Sequence, residues 1–326
     1  MKTKHIYRFI GIIGFFVILS RVDIWTIISV IRHIHMEMLL VIALCSLSIS
    51  VCKAFRWKQL LRLYGVKCKI KNVLIAYFMG TFLGVITPAR IGDVSRVYYL
   101  KKISNPDISS GQLFSNIIAD RIFDLLVVLI VALLGNAYFF SKYFFILVIS
   151  FSLLSLGVIL LYKIRHKIIS PIRKILERLE TLFPKISLQF HFDEIIKGLR
   201  ALRTWRIIYP SIINIISFGV FYVTLMIIAS VLGINISFLY LMVGMSTAML
   251  FSVLPITIAG VGVRDAVLIF YFSAVGISNE VTISFSFLYL LFCLVLPGVM
   301  GSFPYLFHPE DLKKALSKVE NKEDLI

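Results

Sequence analysis

Nine apolar runs cover most of this chain, at residues 6–19, 38–55, 72–86, 113–134, 139–162, 207–232, 236–254, 264–275 and 281–307, and their unequal lengths constrain its fold most. A helix rises 1.5 Å per residue, so crossing a hydrocarbon core of ~30 Å takes ~20 residues. The runs at 72–86 and 264–275 would cover only roughly 22 and 18 Å and read as half-helices. Hydrophobic residues make up 59% of the chain and charged residues 16%, with a mean hydropathy of +0.94. An ordinary soluble domain carries about a quarter charged residues, so this chain needs lipid as its solvent.

Charge then orients the runs. There are 34 Lys and Arg against 17 Asp and Glu, a net charge of +17. In a soluble protein that excess would suggest nucleic acid; here the basic residues fall between apolar runs, the pattern of cytoplasmic loops and of contact with anionic headgroups. No nucleic-acid partner is expected. Residues 53–71 carry Lys53, Arg56, Lys58, Arg62, Lys67, Lys69 and Lys71 without an acid, and 163–206 carry eleven basic residues against four acidic ones. If 72–86 crossed the bilayer fully, the second basic segment would lie outside. If the chain breaks at Thr87-Pro88 and returns, both basic segments face the cytoplasm. The same parity makes 236–254 and 264–275 a second broken element, hinged at Pro255 and entered from the outside.

The expected fold is therefore all-α: a polytopic membrane protein with about six full transmembrane helices and two re-entrant broken-helix hairpins in an inverted-repeat arrangement. It forms one membrane domain over 1–326. Residues 1–162 are the first half, with its break near 87–93, and 207–309 the second, with its break near 255–265. Between them, 163–206 reads as an amphipathic helix on the inner leaflet or a tethering linker, and 310–326 as a charged cytoplasmic tail. Both termini are expected in the cytoplasm, at the cell (inner) membrane. Basic residues at the N-terminus precede an apolar run without a small-residue cleavage site, which favours a retained first helix over a signal peptide.

Several chemistries have no footing. Cys45, Cys52, Cys68 and Cys293 form no C-x-x-C pair, and His33 and His35 are the one close pair among six histidines, so no disulfide framework or metal site is expected. No phosphate-cradling glycine loop, H-E-x-x-H or G-x-S-x-G motif occurs. No cofactor is expected.

Three strings carry polar chemistry. In Thr87-Pro88-Ala89-Arg90-Ile91-Gly92-Asp93-Val94-Ser95-Arg96, Pro88 removes a backbone donor and Gly92 permits unusual dihedrals. At membrane depth such backbone must pack in protein or line a wet cavity. Arg90 and Arg96 offer planar donor forks matched to phosphate, and Asp93 can hold one of them. In Asp120-Arg121-Ile122-Phe123-Asp124 the two carboxylates are four apart on one helix face. Asp120 or Asp124 would orient Arg90 or Arg96 while Arg121 faces the substrate; a purely structural ion-pair network reads nearly as well. In the third string, Pro255 precedes Ala259-Gly260-Val261-Gly262-Val263-Arg264-Asp265, where Gly260 and Gly262 let the chain bend and Arg264 opens a half-helix whose positive end favours an anion. Each break could also be a plain interfacial loop or a tight buried turn. The candidate substrate-binding residues are thus Arg90, Gly92, Asp93, Arg96, Asp120, Arg121, Asp124, Gly260, Gly262, Arg264 and Asp265, with Pro88 and Pro255 as hinges.

Phe55-Arg56-Trp57 to Leu61, Thr87 to Asp93 and Arg96, Asp120-Arg121 with Asp124, Leu254-Pro255 to Arg264-Asp265 and Leu296-Pro297-Gly298 together resemble the membrane region of lysylphosphatidylglycerol synthases, a flippase-like group, over about residues 8–307. That family often has Gly-Gly-x-Gly-x-Arg-Glu where this chain has Ala259 to Asp265, and Glu-Arg where it has Asp120-Arg121. Both swaps keep charge and small size. The resemblance does not extend to the soluble aminoacyltransferase domain, so it implies the lipid-handling part alone or a cousin that moves another lipid.

The function expected is that of a transporter more than an enzyme. An anionic phospholipid or a polyprenyl-phosphate-linked lipid or glycan would cross through a cavity between the two breaks. The alternatives are a membrane-embedded transferase with Asp93 or Asp120 as general base, and an accessory subunit of an envelope-polymer assembly system. A homo-oligomer is compatible with all three.

Overall fold

The computed structural model describes residues 34–87, 92–93, 95–104, 110–139, 202, 204–253 and 260–307. The expectations for the first span at 6–19, the span through 162, the basic segment up to 201, the tail, and Pro88, Arg90, Pro255 and Ala259 lie outside these residues. Every regular element among the described residues is helical. They are α1 (Met36–Leu63), α2 (Ile70–Ile86), α3 (Ser95–Ser104), α4 (Ser110–Phe139), α5 (Ile208–Val231), α6 (Phe238–Phe251), α7 (Val263–Ser273), α8 (Asn279–Tyr289) and α9 (Leu296–Phe307).

α1, α5 with its preceding turn, and the continuous run of α8 and α9 are long and apolar enough to cross a membrane. On α1 the exposed face is the apolar one: Met36, Leu40 and Leu44, spaced four apart, point outward, while Ser46 and Ser50 point inward with Ile42 and Ile49. Exposed Ile208, Ile212, Ile215 and Ile216 and buried Asn214 and Ser217 repeat this on α5. Apolar residues outside and small polar residues inside are what lipid selects, since tails reward no apolar burial. α2, α6 and α7 have 17, 14 and 11 residues, or roughly 26, 21 and 17 Å, each short of a full crossing.

The order of elements repeats. A long helix, a short helix, a break, a short helix and a long helix occur as α1 to α4 and again as α5 to α9. The ends Leu63 and Val231, the starts Ile70 and Phe238, and the starts Ser95 and Val263 are each 168 residues apart (231−63, 238−70, 263−95). α1 and α5 even stop the same way: Gly65 and Gly233 take positive φ, their N–H groups bond back to Arg62 and Ser230, and the following N–H groups bond to Leu61 and Ala229. Packing is reciprocal as well. α1 lies on α5, α2 on α9, and α6 on α4, so each half's short helix seats against the other half's last long helix.

Those crossings need small residues. A Cβ on Gly301 of α9 would stand 1.9 Å from the carbonyl oxygen of Phe78, and one on Gly135 of α4 would stand 1.9 Å from Val243 Cγ2. α8 joins α9 through a π turn at Leu290–Val295, which ends two residues before Pro297. Proline lacks the N–H that would bond to the carbonyl four residues back and crowds that carbonyl, so the helix widens there. Ser46 of α1 donates to the Phe292 carbonyl in that turn at 2.5 Å.

Two apolar cores result. One gathers Trp57, Val73, Tyr77, Leu83 and Leu100 around α2 and α3; the other gathers Phe218, Leu225, Leu241, Phe272 and Phe285 around α5 to α8. The charged residues lie at the seam between them.

Candidate functional site

The first break starts where α2 ends. Thr87 Oγ1 donates to the Leu83 carbonyl at 2.7 Å and accepts from Gly92 N–H at 2.8 Å, which folds the chain back onto α2. Gly92 sits so close to that helix that a Cβ would lie 2.2 Å from the Leu83 carbonyl. Next to Leu83, Gly84 makes room for Asp93, and one turn earlier along α2 Gly80 makes room for the stem of Arg96.

A network of seven charges follows. Arg96 Nη2 meets Asp93 Oδ1 at 2.9 Å and its Nη1 meets Asp120 Oδ2 at 3.2 Å, while its guanidinium lies 4.1 Å from the Tyr77 ring centre. Arg121 Nη2 is 3.1 Å from Asp93 Oδ2, and its Nη1 is 3.6 Å from Asp124 Oδ2. Lys53 Nζ is 3.2 Å from the same Asp124 oxygen and 4.9 Å from the Phe218 ring centre. Arg56, 0% exposed, donates to Asp120 Oδ1 from Nε at 3.0 Å and from Nη2 at 2.6 Å, to Asp124 Oδ1 at 2.5 Å, and to Asn214 Oδ1. Among the described residues four cations face three carboxylates, one positive charge in excess.

The second break is lighter. Gly260 and Gly262 have φ of +75° and +91°, conformations that side chains rarely adopt. Gly262 N–H donates to Asp265 Oδ2 at 2.8 Å, capping α7. Arg264 Nε donates to Ser286 Oγ at 2.8 Å, its Nη2 pairs with Asp265 Oδ1 at 3.0 Å, and its guanidinium lies 5.0 Å from the Tyr289 ring centre. Arg96 and Arg264 occupy the same place in the two halves, 168 residues apart (264−96) and second in their helices. The carboxylate that α4 offers Arg96 is replaced on α8 by a hydroxyl.

One cavity of about 350 Å³ touches both breaks. Lys53, Asp93, Arg96, Arg121, Asp124 and Arg264 make its polar side, and Ile49, Leu125, Val128, Phe218, Phe221 and Leu294 an apolar wall. Such a volume suits a small-molecule pocket or a lipid headgroup. Arg121, with 25% of its side chain exposed, is the most open cation of the network.

Of the residues singled out by sequence, Asp93, Arg96, Asp120, Arg121 and Asp124 are brought into one network, and Arg264 and Gly260 reach the same cavity. Asp120, wholly buried, stands behind the lining; Gly92, Gly262 and Asp265 shape the breaks. Arg90, Pro88 and Pro255 lie outside the described residues. Sequence reasoning missed Lys53 and Arg56 as site residues, because both were counted as charges of the basic segment 53–71. α1 continues to Leu63, and Arg56 sits inside it. A cation flanked by Phe55 and Trp57 at the end of a spanning run is itself the signal. Asn214, an amide within the apolar run 207–232, is another, and Gly80-x-x-x-Gly84 a third.

The family model described as "Lysylphosphatidylglycerol synthase TM region" matches residues 6–301. The chain is 26% identical over 328 aligned positions to the UPF0104 membrane protein MJ1595 of Methanocaldococcus jannaschii, covering 92% of this chain and 94% of that one. It is 25% identical over 270 positions to the UPF0104 membrane protein PH1989 of Pyrococcus horikoshii, covering 76% and 80%. With spanning apolar helices around a buried ionic network and a family match over nearly its whole length, the chain belongs to the lysylphosphatidylglycerol synthase transmembrane-region family of membrane proteins.

Proposed function

We propose that the protein is a lipid translocase: an anionic headgroup enters the cavity between the two broken elements and crosses the bilayer while its tails stay in lipid. The observation that carries this reading is the cavity itself, which joins a net-cationic side from one half to Arg264 of the other and has an apolar wall beside them. Burying an excess charge costs several kcal/mol unless a counter-charge arrives, and an oxyanion at Arg121 and Lys53 would supply it. Arg121 Nε, buried without an acceptor among the described residues, is a further donor for it.

The repeated element order and equivalent arginines support an inverted-repeat transporter in which the cavity opens alternately to either leaflet. Loop charge supports the cell membrane with cytoplasmic termini. The substrate is an anionic phospholipid or a polyprenyl-phosphate-linked lipid. An enzyme reading has less support: of its two candidate bases, Asp120 is sealed from the cavity and gripped by Arg56 and Arg96, and Asp93, which lines the cavity, is paired with Arg96 and Arg121.

The test is a proteoliposome assay that follows headgroup exposure of labelled anionic lipids. Arg121→Ala and Arg264→Lys, each checked for native helicity, should slow translocation by about tenfold or more, the value of one lost charged hydrogen bond. Unchanged translocation in both variants would remove the proposed site.

A further inference from the structure

The polar face of α4 has one rung more than the ionic network uses. Asn116, Asp120 and Asp124 follow one another there at four-residue spacing. Asp120 holds Arg56 and Arg96, and Asp124 holds Lys53, Arg56 and Arg121. Asn116 is just as buried, yet its amide oxygen and its amide nitrogen both lack a hydrogen-bond partner. Leu113 and Ile117, on the same stretch of α4, pack in one core with Val97, Tyr99 and Leu100 of α3. Ser95 Oγ and Arg96 Nε, at the start of α3, and Trp57 Nε1, whose ring centre is 5.7 Å from the Arg96 guanidinium, are buried without partners too. Buried polar groups are nearly always paired in native structures, and an unpaired one stores free energy that another arrangement can release.

A step of four residues along α4, about 6 Å, would carry Arg96 from Asp120 to Asn116. It orphans no charge. Asp93, paired with Arg96 and three residues before it, travels with it, and Asp120 keeps both of its carboxylate bonds from Arg56. Arg121 gives up Asp93 and keeps Asp124. The second half already sits part of the way along. Arg264, the counterpart of Arg96, bonds to Ser286, whose counterpart is position 118 (286−168), midway between Asn116 and Asp120. Two copies of one element held at different registers show that the fold accepts both.

Resting on the translocase reading above for its use, we propose that Asn116 is the second docking position of Arg96. The broken element α2–α3 steps one turn along α4, between Asp120 and Asn116, as the cavity changes access. It moves as a unit, because Gly80, Gly84 and Gly92 seat Arg96, Asp93 and the break directly against α2.

The test reads register, stability and translocation separately on the full-length protein. With the four native cysteines replaced, spin labels at exposed Lys71 on α2 and exposed Ile130 on α4 report their separation by pulsed electron resonance in nanodiscs. A minor separation, differing from the main one by up to about 6 Å, marks the step. Asn116→Asp gives the second rung a counter-charge and should raise that minor population about tenfold, the value of a charged over a neutral hydrogen bond. Asn116→Leu should abolish it. Asn116→Leu breaks no bond, so its denaturation midpoint should stay level or rise, whereas Asn136→Leu, whose amide bonds to Ala132, Thr247 and Tyr271, should fall.

One and the same separation in wild type and both Asn116 variants overturns the proposal, as does an Asn116→Leu midpoint that falls as far as that of Asn136→Leu. Lipid translocation at the full rate by Asn116→Leu overturns it as well. A register shift in Asn116→Asp, with no labelled lipid translocated by any of these proteins, wild type included, upholds the step and refutes the translocase reading instead.

Discussion

Replacing Arg56 by methionine removes the hub of the buried network while keeping an unbranched apolar stem. Arg56 belongs to α1 and donates to the Asp120 carboxylate twice, to the Asp120 carbonyl at 3.2 Å, to Asp124 on α4 and to Asn214 on α5. It ties three helices together at a position with no access to water. Removing one partner of a buried pair leaves the other charge uncompensated, at about 3–5 kcal/mol, a large share of the roughly 5–15 kcal/mol that holds a typical domain folded. Asp120 keeps Arg96 and Asp124 keeps Lys53 and Arg121, so the lower part of that range is expected.

Reversible denaturant unfolding in mixed micelles, followed by far-UV circular dichroism, reads the loss. A cycle with Asp120→Leu isolates the pair: the double variant should be at least about 2 kcal/mol more stable than the sum of the single losses, because the second change deletes the orphaned charge. Arg62→Met serves as a control. Arg62 is exposed, and among the described residues its side chain bonds to Gln59 on its own helix, so its change should stay within about 0.5 kcal/mol. Arg56→Met costing no more than Arg62→Met, or a double variant whose loss equals the sum, would refute the idea that Arg56 holds the network together.

Gly301→Ala should destabilise the fold by about 3 kcal/mol, since the new Cβ would meet the Phe78 carbonyl at 1.9 Å. Gly219→Ala on α5, where a Cβ meets nothing within 4 Å, should be neutral or gain about 0.5–1 kcal/mol of helix propensity, and the same unfolding assay compares the two. Pro297→Ala restores the N–H that can bond across the π turn, so that turn should tighten and rotate Cys293 off the cavity wall. In a protein retaining Cys293 as its sole cysteine, maleimide labelling should then slow several-fold; an unchanged rate would mean that proline does not cause the turn.

The membrane class, the short elements and the arginine-bearing breaks are legible in the residue order because each rests on a local quantity. Apolar run length sets what can cross ~30 Å, and proline with glycine marks where a helix must stop. Even the repeat leaves a trace, for Gly65, Gly92 and Arg96 recur as Gly233, Gly260 and Arg264 at one spacing. Which charges meet is a different kind of fact. Arg56 reaches Asp120 across 64 residues of chain and Asn214 across 158, and Arg264 shares a cavity with Arg121 from the opposite half. Those meetings depend on how closely α1, α4 and α5 cross, and glycines such as Gly135 and Gly301 set crossing distances through atoms on a partner helix. Hydropathy therefore told Arg56 apart from its apolar neighbours only as a charge beyond the end of a run. Helix packing turned it into the buried link among three helices, because a guanidinium shut away from water must be placed where carboxylates from elsewhere in the chain converge.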